Sequence, residues 1–221
     1  MTDINNNKTI TILTITNKKR SNEGYELLKK EKAKIDFLNP KIVLVDDCES
    51  YADYNKRCVS ELNNYFDTDF CLIVQFDGKI INPSAWTNDF FNYDYIGAPW
   101  KNFKMLSGMD SEVDKFISEK FSKSEKPEKY FVGNGGFSLR SKKLAKILST
   151  VDGHEIVNGK ILNEDVFICL KKREFLEQNG IRFAPFEVAK LFSVENQYYF
   201  NQFGGHSIAF KDGRVLYLKN L

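Results

Sequence analysis

The period of the apolar positions changes along the chain and outlines its elements. Residues 9–16 (Thr-Ile-Thr-Ile-Leu-Thr-Ile-Thr) alternate almost one for one and are β-branched, which predicts a strand. Residues 24–37 put Tyr25, Leu28 and Ile35 on one face with lysines elsewhere, which predicts a helix ended by Pro40. Residues 41–45 predict a second strand that runs into Asp46-Asp47. Residues 51–66 predict a second helix, with Tyr51, Tyr54, Cys58, Leu62 and Phe66 at i+3/i+4 spacing. Residues 71–76 are a largely apolar run suited to a central parallel strand. Strand–helix–strand–helix–strand with short connections is a βαβαβ unit. Open sheets of this kind bind ligands at the carboxyl ends of their strands, so residues 17–20, 46–47 and 77–78 are expected along one edge.

The second half is less regular. A short helix is predicted at 84–91 after Pro83, and residues 93–100 begin as a strand and end in a turn. A weak helix is predicted at 110–121, followed by a polar, charged, Pro-containing segment at 122–129 that reads as mobile. A Gly-rich turn leads into a strand at 137–140, and Ser141 caps a helix running to Leu148. Asn163 reads as the N-cap of a helix at 164–178 closed by Gly180, and residues 192–194 and 215–218 are strand-like. The fold class expected is α/β, with a mixed, mostly parallel central sheet flanked by helices. One domain is expected over 1–221, with a nucleotide-binding half to about residue 80 and a catalytic half from about residue 81.

Composition narrows the function classes. The 221 residues are 42% hydrophobic and 14% aromatic, enough for a sizeable core and against disorder. Lys+Arg is 32 and Asp+Glu is 30, and the resulting net charge of +2 argues against a nucleic-acid partner. The only histidines are His154 and His206, so a multi-imidazole metal centre is excluded within one chain. Cys48, Cys58, Cys71 and Cys169 show no CxxC spacing, which argues against a zinc knuckle or a dithiol motif and for a reduced chain. The first eight residues are polar rather than signal-like, and no apolar run approaches a membrane span. A cytoplasmic protein with no transmembrane segment is expected, with contact at the inner face of a membrane left open.

Four short segments carry candidate chemistry, each with a purely structural alternative. Asp77-Gly78 follows the third strand: it is either a turn or an acid that holds a divalent cation. Gly133-Asn134-Gly135-Gly136 is either a tight turn or a stretch of exposed N–H groups for sugar hydroxyls or phosphates, and its spacing matches neither a P-loop nor the dinucleotide fingerprint. Glu164-Asp165 suits the dipole of a helix start, and equally suits a general base held at a fixed position. His206, after Gly204-Gly205, is either a loop histidine or a metal ligand, while His154 reads as a turn residue.

The order of these parts resembles the GT-A glycosyltransferases. The blocks YDYIGAPW at 93–100, GNGGFSLRS at 133–141, EDVF at 164–167, FAP…A..FSVE at 183–195 and FGGH at 203–206 are similar to the signatures of one domain family. That family has long been catalogued as of unknown function, has members in glycan-synthesis clusters and is regarded as GT-A-like. The resemblance implies transfer of a sugar from a nucleoside-diphosphate donor to a hydroxyl of a glycan or lipid-linked oligosaccharide, with inversion, in surface polysaccharide synthesis. It implies Asp77 and His206 as ligands of Mn2+ or Mg2+, with Gln75 standing where many such enzymes have a further Asp. It implies Asp165 as the base with Glu164 as second choice, and Asn134 and Gly135 along the donor sugar. Topology alone puts Thr14, Thr16, Asn17 and Asp46 near the nucleotide. A non-catalytic nucleotide-sugar or glycan-binding module of a larger synthase would keep the Gly-rich loop without needing Asp165. Another Rossmann-like enzyme is disfavoured by Thr16-Asn17-Lys18-Lys19-Arg20, which lacks the glycine fingerprint.

Overall fold

The structure is a computed structural model that describes residues 8–100, 132–151, 156–157, 160–195, 201–211 and 214–217. The helix expected at 110–121, the segment at 122–129 and His154 lie outside the described residues.

Strand β1 (Ile10–Ile15) lies between β2 (Lys41–Val45) and β3 (Phe70–Val74) and is parallel to both. After the short β4 (Lys79–Ile80) come β5 (Tyr95–Ile96) and β6 (Phe137–Ser141). β6 is antiparallel to β3 and to β5, so the order is β2-β1-β3-β6-β5 with β6 alone reversed. The sheet is therefore mixed but mostly parallel in direction, and the fold class is α/β as expected. Reversal of β6 brings the loop before it, residues 133–136, to the edge where β1, β2 and β3 end.

Helices cover both faces, because β1, β3 and β6 are buried along their whole lengths. On one face Ile10, Ile12, Leu72, Val74 and Phe137 pack with Leu28 of α1 (Ser21–Lys34). On the other, Leu13, Ile15, Cys71 and Ile73 pack with Cys58 and Leu62, which continue α2 (Tyr51–Lys56), and with Ala145 of α3 (Lys142–Leu148). The small hairpin of β7 (Ile156–Val157) and β8 (Lys160–Ile161) precedes α4 (Glu164–Val166) and α5 (Arg173–Gln178). Helix α6 (Phe186–Phe192) leads into β9 (Ser193–Glu195). β9 pairs in parallel with β10 (Gly204–His206), which pairs antiparallel with β4, making a three-stranded sheet β4-β10-β9. A closing hairpin joins β11 (Ile208–Lys211) and β12 (Arg214–Tyr217).

Several boundaries differ from the sequence expectation for identifiable reasons. The first helix begins at Ser21 rather than at Gly24. Gly24 sits inside it because a Cβ there would lie 2.7 Å from Leu44 Cδ1 of β2. The second helix passes from α at Tyr51–Lys56 to a wider π turn at Arg57–Glu61 and then tightens to a 3-10 turn at Leu62–Asn64. The helix expected at 84–91 is two 3-10 turns, Pro83–Ala85 and Asn88–Asn92. The helix expected at 164–178 changes to a π turn at Phe167–Lys171 and restarts at Arg173. Asn163 makes no side-chain cap there; the Glu164 N–H donates instead to Asn55 Oδ1 at 2.8 Å. Phe192 ends a helix instead of starting a strand, which leaves Ser193–Glu195 as the strand.

Candidate active-site cleft

A cleft of about 650 Å³ opens at the carboxyl ends of β1, β2 and β3, between Thr16, Asn17, Tyr51, Gln75 and Asp77. Its position is the one the parallel topology dictates. Beside it runs the Gly-rich loop, held by the segment around β5. Tyr95 donates its hydroxyl to the Gly133 carbonyl at 2.7 Å. Gly97 approaches the loop so closely that a Cβ would lie 2.0 Å from the Asn134 carbonyl oxygen, and a Cβ on Gly133 would lie 2.1 Å from the Trp100 ring. The YDYIGAPW and GNGG blocks are thus two halves of one packed joint. Gly97→Ala is expected to force the loop away and cost about 1–3 kcal/mol as overpacking, read as a lower urea midpoint than wild type.

On one side of the loop stand Asp77 and His206. His206 Nε2 lies 3.0 Å from Asp77 Oδ1 and 2.9 Å from Gln75 Oε1, and Nδ1 lies 3.4 Å from Glu195 Oε1. Gln75 is oriented in turn by donating Nε2–H to the Tyr54 hydroxyl at 2.6 Å. Burial opposes the charge on His206, but the Asp77 and Glu195 carboxylates outweigh it and raise its pKa to about 9. Burial likewise works against ionisation of Asp77, yet hydrogen bonds from His206 and Ser207 and the His206 charge hold that carboxyl below its usual value. Ser207, in the left-handed region at φ 54°, donates its hydroxyl to Asp77 Oδ2 at 3.0 Å. A non-glycine residue in that region marks a position fixed by its surroundings.

These groups fit a hard divalent cation in chemistry and spacing. Carboxylate, amide oxygen and imidazole suit Mg2+ or Mn2+. Donor atoms about 3 Å apart are neighbours around an octahedral ion whose bonds are about 2.1 Å long. A cation would take the place of the His206 proton. Among the described residues, no group of three or more His, Cys, Asp or Glu is arranged to hold a metal unaided.

On the other side of the loop stands α4. Asp165 is half-buried, and its Oδ2 accepts the Gly135 N–H at 3.3 Å. Burial, then the Glu164 and Glu195 carboxylates, raise its pKa to about 8 against the stabilising N–H groups of Val166 and Gly135. Glu164, the alternative base, is buried and engaged: Arg140 Nη2 lies 3.0 Å from both of its carboxylate oxygens. Successive glycines thus separate the two sides. A Cβ on Gly135 would lie 2.1 Å from Glu164 Oε1, and one on Gly136 would lie 2.2 Å from the His206 ring.

The other expected donor contacts divide. Thr16, Asn17 and Gln75 border the cleft. Thr14 does not: it is fully buried, and its hydroxyl donates to the Val74 carbonyl at 2.8 Å, so it ties β1 to β3. Asp46 does not line the cleft; its Oδ2 accepts from the Ser21 hydroxyl at 2.7 Å and the Lys18 ammonium at 2.9 Å. Asn134 is buried and turns its Oδ1 onto the Gly136 N–H at 3.1 Å, shaping the loop. Arg20, in the segment 17–20 expected along this edge, borders the cleft with its guanidinium 3.5 Å above the Phe76 ring centroid. Sequence reasoning passed over Arg140, Asn55 and Glu195. A lone Arg within the strand Phe-Ser-Leu-Arg-Ser was the one available signal, since a buried Arg needs a buried partner.

Fold and cleft together define an open-sheet α/β protein with a site at the carboxyl edge of its strands. The chain belongs to the family described as a protein of unknown function (DUF5672), whose sequence profile matches residues 34–209. No curated protein matches it. Among solved structures, it is similar to a glycosyltransferase involved in the glycosylation of the major capsid of PBCV-1, at 15% identity and a TM-score of 0.48 over 80% of each chain. It is also similar to the galactosyltransferase LgtC in complex with donor and acceptor sugar analogs, at 12% identity and a TM-score of 0.48 over 89% of this chain and 86% of that one. A third likeness is to A197 from STIV, at 16% identity and a TM-score of 0.36 over 95% and 90%. No helix among the described residues is long and apolar enough to cross a membrane.

Proposed function

We propose that the protein is a glycosyltransferase that moves a sugar from a nucleoside-diphosphate donor to a hydroxyl of a glycan, with inversion. The observation that carries this reading is the placement of Asp165 and the Asp77–His206 pair on either side of Gly135-Gly136, beside a cleft at the carboxyl ends of three parallel strands. In this reading residues up to about 80 hold the nucleotide and the rest serve the acceptor and the chemistry.

The reaction joins the acceptor oxygen to the anomeric carbon and breaks the bond from that carbon to the diphosphate. Asp165 takes the acceptor proton, and the departing diphosphate keeps the bonding electron pair. A carboxylate in a partly buried site with a raised pKa is a competent base near neutral pH. Asp77 and His206 would hold a divalent cation, with Gln75 as a neutral oxygen donor, and that ion would supply charge for the leaving diphosphate. Asn17, Thr16 and Arg20 border the space left for the nucleotide.

Two results are expected. The base must be ionised, so kcat should rise with pH through a midpoint near the raised pKa of Asp165, about 8. A profile flat from acid to alkaline pH would remove a titrating base from the reaction. Nucleotide-sugar donors carrying UDP, GDP, CMP or dTDP, screened with and without Mn2+, should include one class that raises the thermal midpoint. The rise should be larger with metal, and smaller in Asp77→Ala than in wild type.

A further inference from the structure

We propose that Arg140 and Glu164 are positioning residues that place the Asp165 carboxylate and keep it, among the described residues, the member of an acidic pair with no cation bound to it. This rests on the reading of Asp165 as the base. Arg140 is fully buried in β6 and reaches several elements at once. Nη2 meets both Glu164 oxygens at 3.0 Å, Nε donates to Ser138 Oγ at 3.1 Å, and Nη1 donates to the Cys58 carbonyl at 3.3 Å. Cys58 lies in the π turn after α2, and Ser138 Oγ donates onward to the Gly135 carbonyl at 2.9 Å. Glu164 is held a second time through its backbone, whose N–H donates to Asn55 Oδ1 at 2.8 Å.

One guanidinium therefore fixes the start of α4, the Gly-rich loop and the helix opposite. Two further contacts show how little freedom is left. Gly135 leaves no room for a Cβ beside Glu164, and its N–H bonds Asp165 Oδ2 at 3.3 Å.

The charges also sort themselves. Glu164 and Asp165 are adjacent acids, and among the described residues the buried Arg140 guanidinium is matched to the first. The groups that act on the Asp165 carboxyl are Glu164, Glu195 of β9, Tyr51 of α2, Tyr95 of β5 and Cys169 of the π turn that follows α4, and Arg140 is bound to the first of them. Glu195 is itself bound toward His206 at 3.4 Å. Glu164 neutralises Arg140. Adjacent acids driven apart in this way are the arrangement that lets one stay structural while the other exchanges a proton.

The test is Glu164→Gln, which keeps the shape and the hydrogen-bonding oxygen but removes the charge that neutralises Arg140. The carboxyl carbon of Asp165 is followed by 13C NMR in Asp-labelled protein and assigned against Asp165→Asn. Its midpoint is expected to fall by about one to three pH units, since an uncompensated Arg favours the ionised acid. The rising limb of the kcat profile should move down with it, and donor KM should stay unchanged. An Asp165 midpoint equal to wild type in folded Glu164→Gln would overturn the proposal and leave the pair a structural bridge only. Should that variant not fold, Arg140→Lys keeps the charge and loses the two-oxygen grip. There kcat is expected to drop with donor KM unchanged, and an unaltered kcat would overturn the proposal. The NMR titration needs neither donor nor acceptor. A shifted midpoint in a protein that turns over no donor would therefore refute the transferase reading and leave the positioning intact.

Discussion

Asp165→Asn is expected to lower sugar transfer by about 10²–10⁴-fold, the range a positioned base supplies. The amide is nearly isosteric, and its oxygen can still accept the Gly135 N–H now held at 3.3 Å, so the loop should keep its shape. Asn cannot take the acceptor proton. In the proposed reading donor binding involves the other side of Gly135-Gly136 and should be retained, so the donor-induced rise in thermal midpoint should match wild type. Unchanged turnover would take Asp165 out of the chemistry. A joint loss of turnover and donor binding would make it a binding residue.

The second large effect concerns stability. Arg140→Met removes one partner of a buried ion pair and leaves Glu164, 5% exposed, without its counter-charge. Breaking such a pair from one side costs about 3–5 kcal/mol, against little for replacing both partners by apolar groups. For a chain of this size that is a fall in Tm of roughly 6–20 °C. The double variant Arg140→Met/Glu164→Met should recover part of the loss, because no buried charge is then left unpaired. Recovery of nothing would show that the Arg140 bonds to Ser138 and the Cys58 carbonyl dominate over the pairing with Glu164.

Much of the scaffold is legible in the residue pattern. The β-branched alternation of β1 and the apolar run of β3 identify strands that the sheet buries completely. Ser141 caps α3 by accepting the Leu144 N–H at 3.0 Å, as its position suggests. The reversed direction of β6 was not legible, since direction depends on pairing between residues distant in sequence. Helix interruptions were missed for a related reason. The π turns at Arg57–Glu61 and Phe167–Lys171 keep an apolar helical spacing, and the first of them directs a carbonyl at Arg140.

The candidate site divides in the same way. Asp77 stands in a turn, Asp165 at a helix start and His206 at the end of β10 just after two glycines, where local sequence marks them. Thr14 looked like a ligand contact because it stands near the end of β1, yet its inward direction follows from strand pairing. Asp46 has the right place in the topology, but its carboxylate is engaged by Ser21 and Lys18. Glu164 and Asp165 cannot be told apart in sequence. What separates them is a guanidinium from a strand 24 residues away.

The most direct measurement is release of nucleoside diphosphate from a panel of nucleotide sugars with Mn2+, compared between wild type, Asp165→Asn and His206→Ala. The account predicts that one donor class is turned over by wild type. It also predicts that turnover falls at least about 10²-fold in Asp165→Asn with donor binding kept, and that His206→Ala loses the metal-dependent part. A panel in which no donor binds or turns over, or in which Asp165→Asn releases diphosphate as fast as wild type, would contradict it.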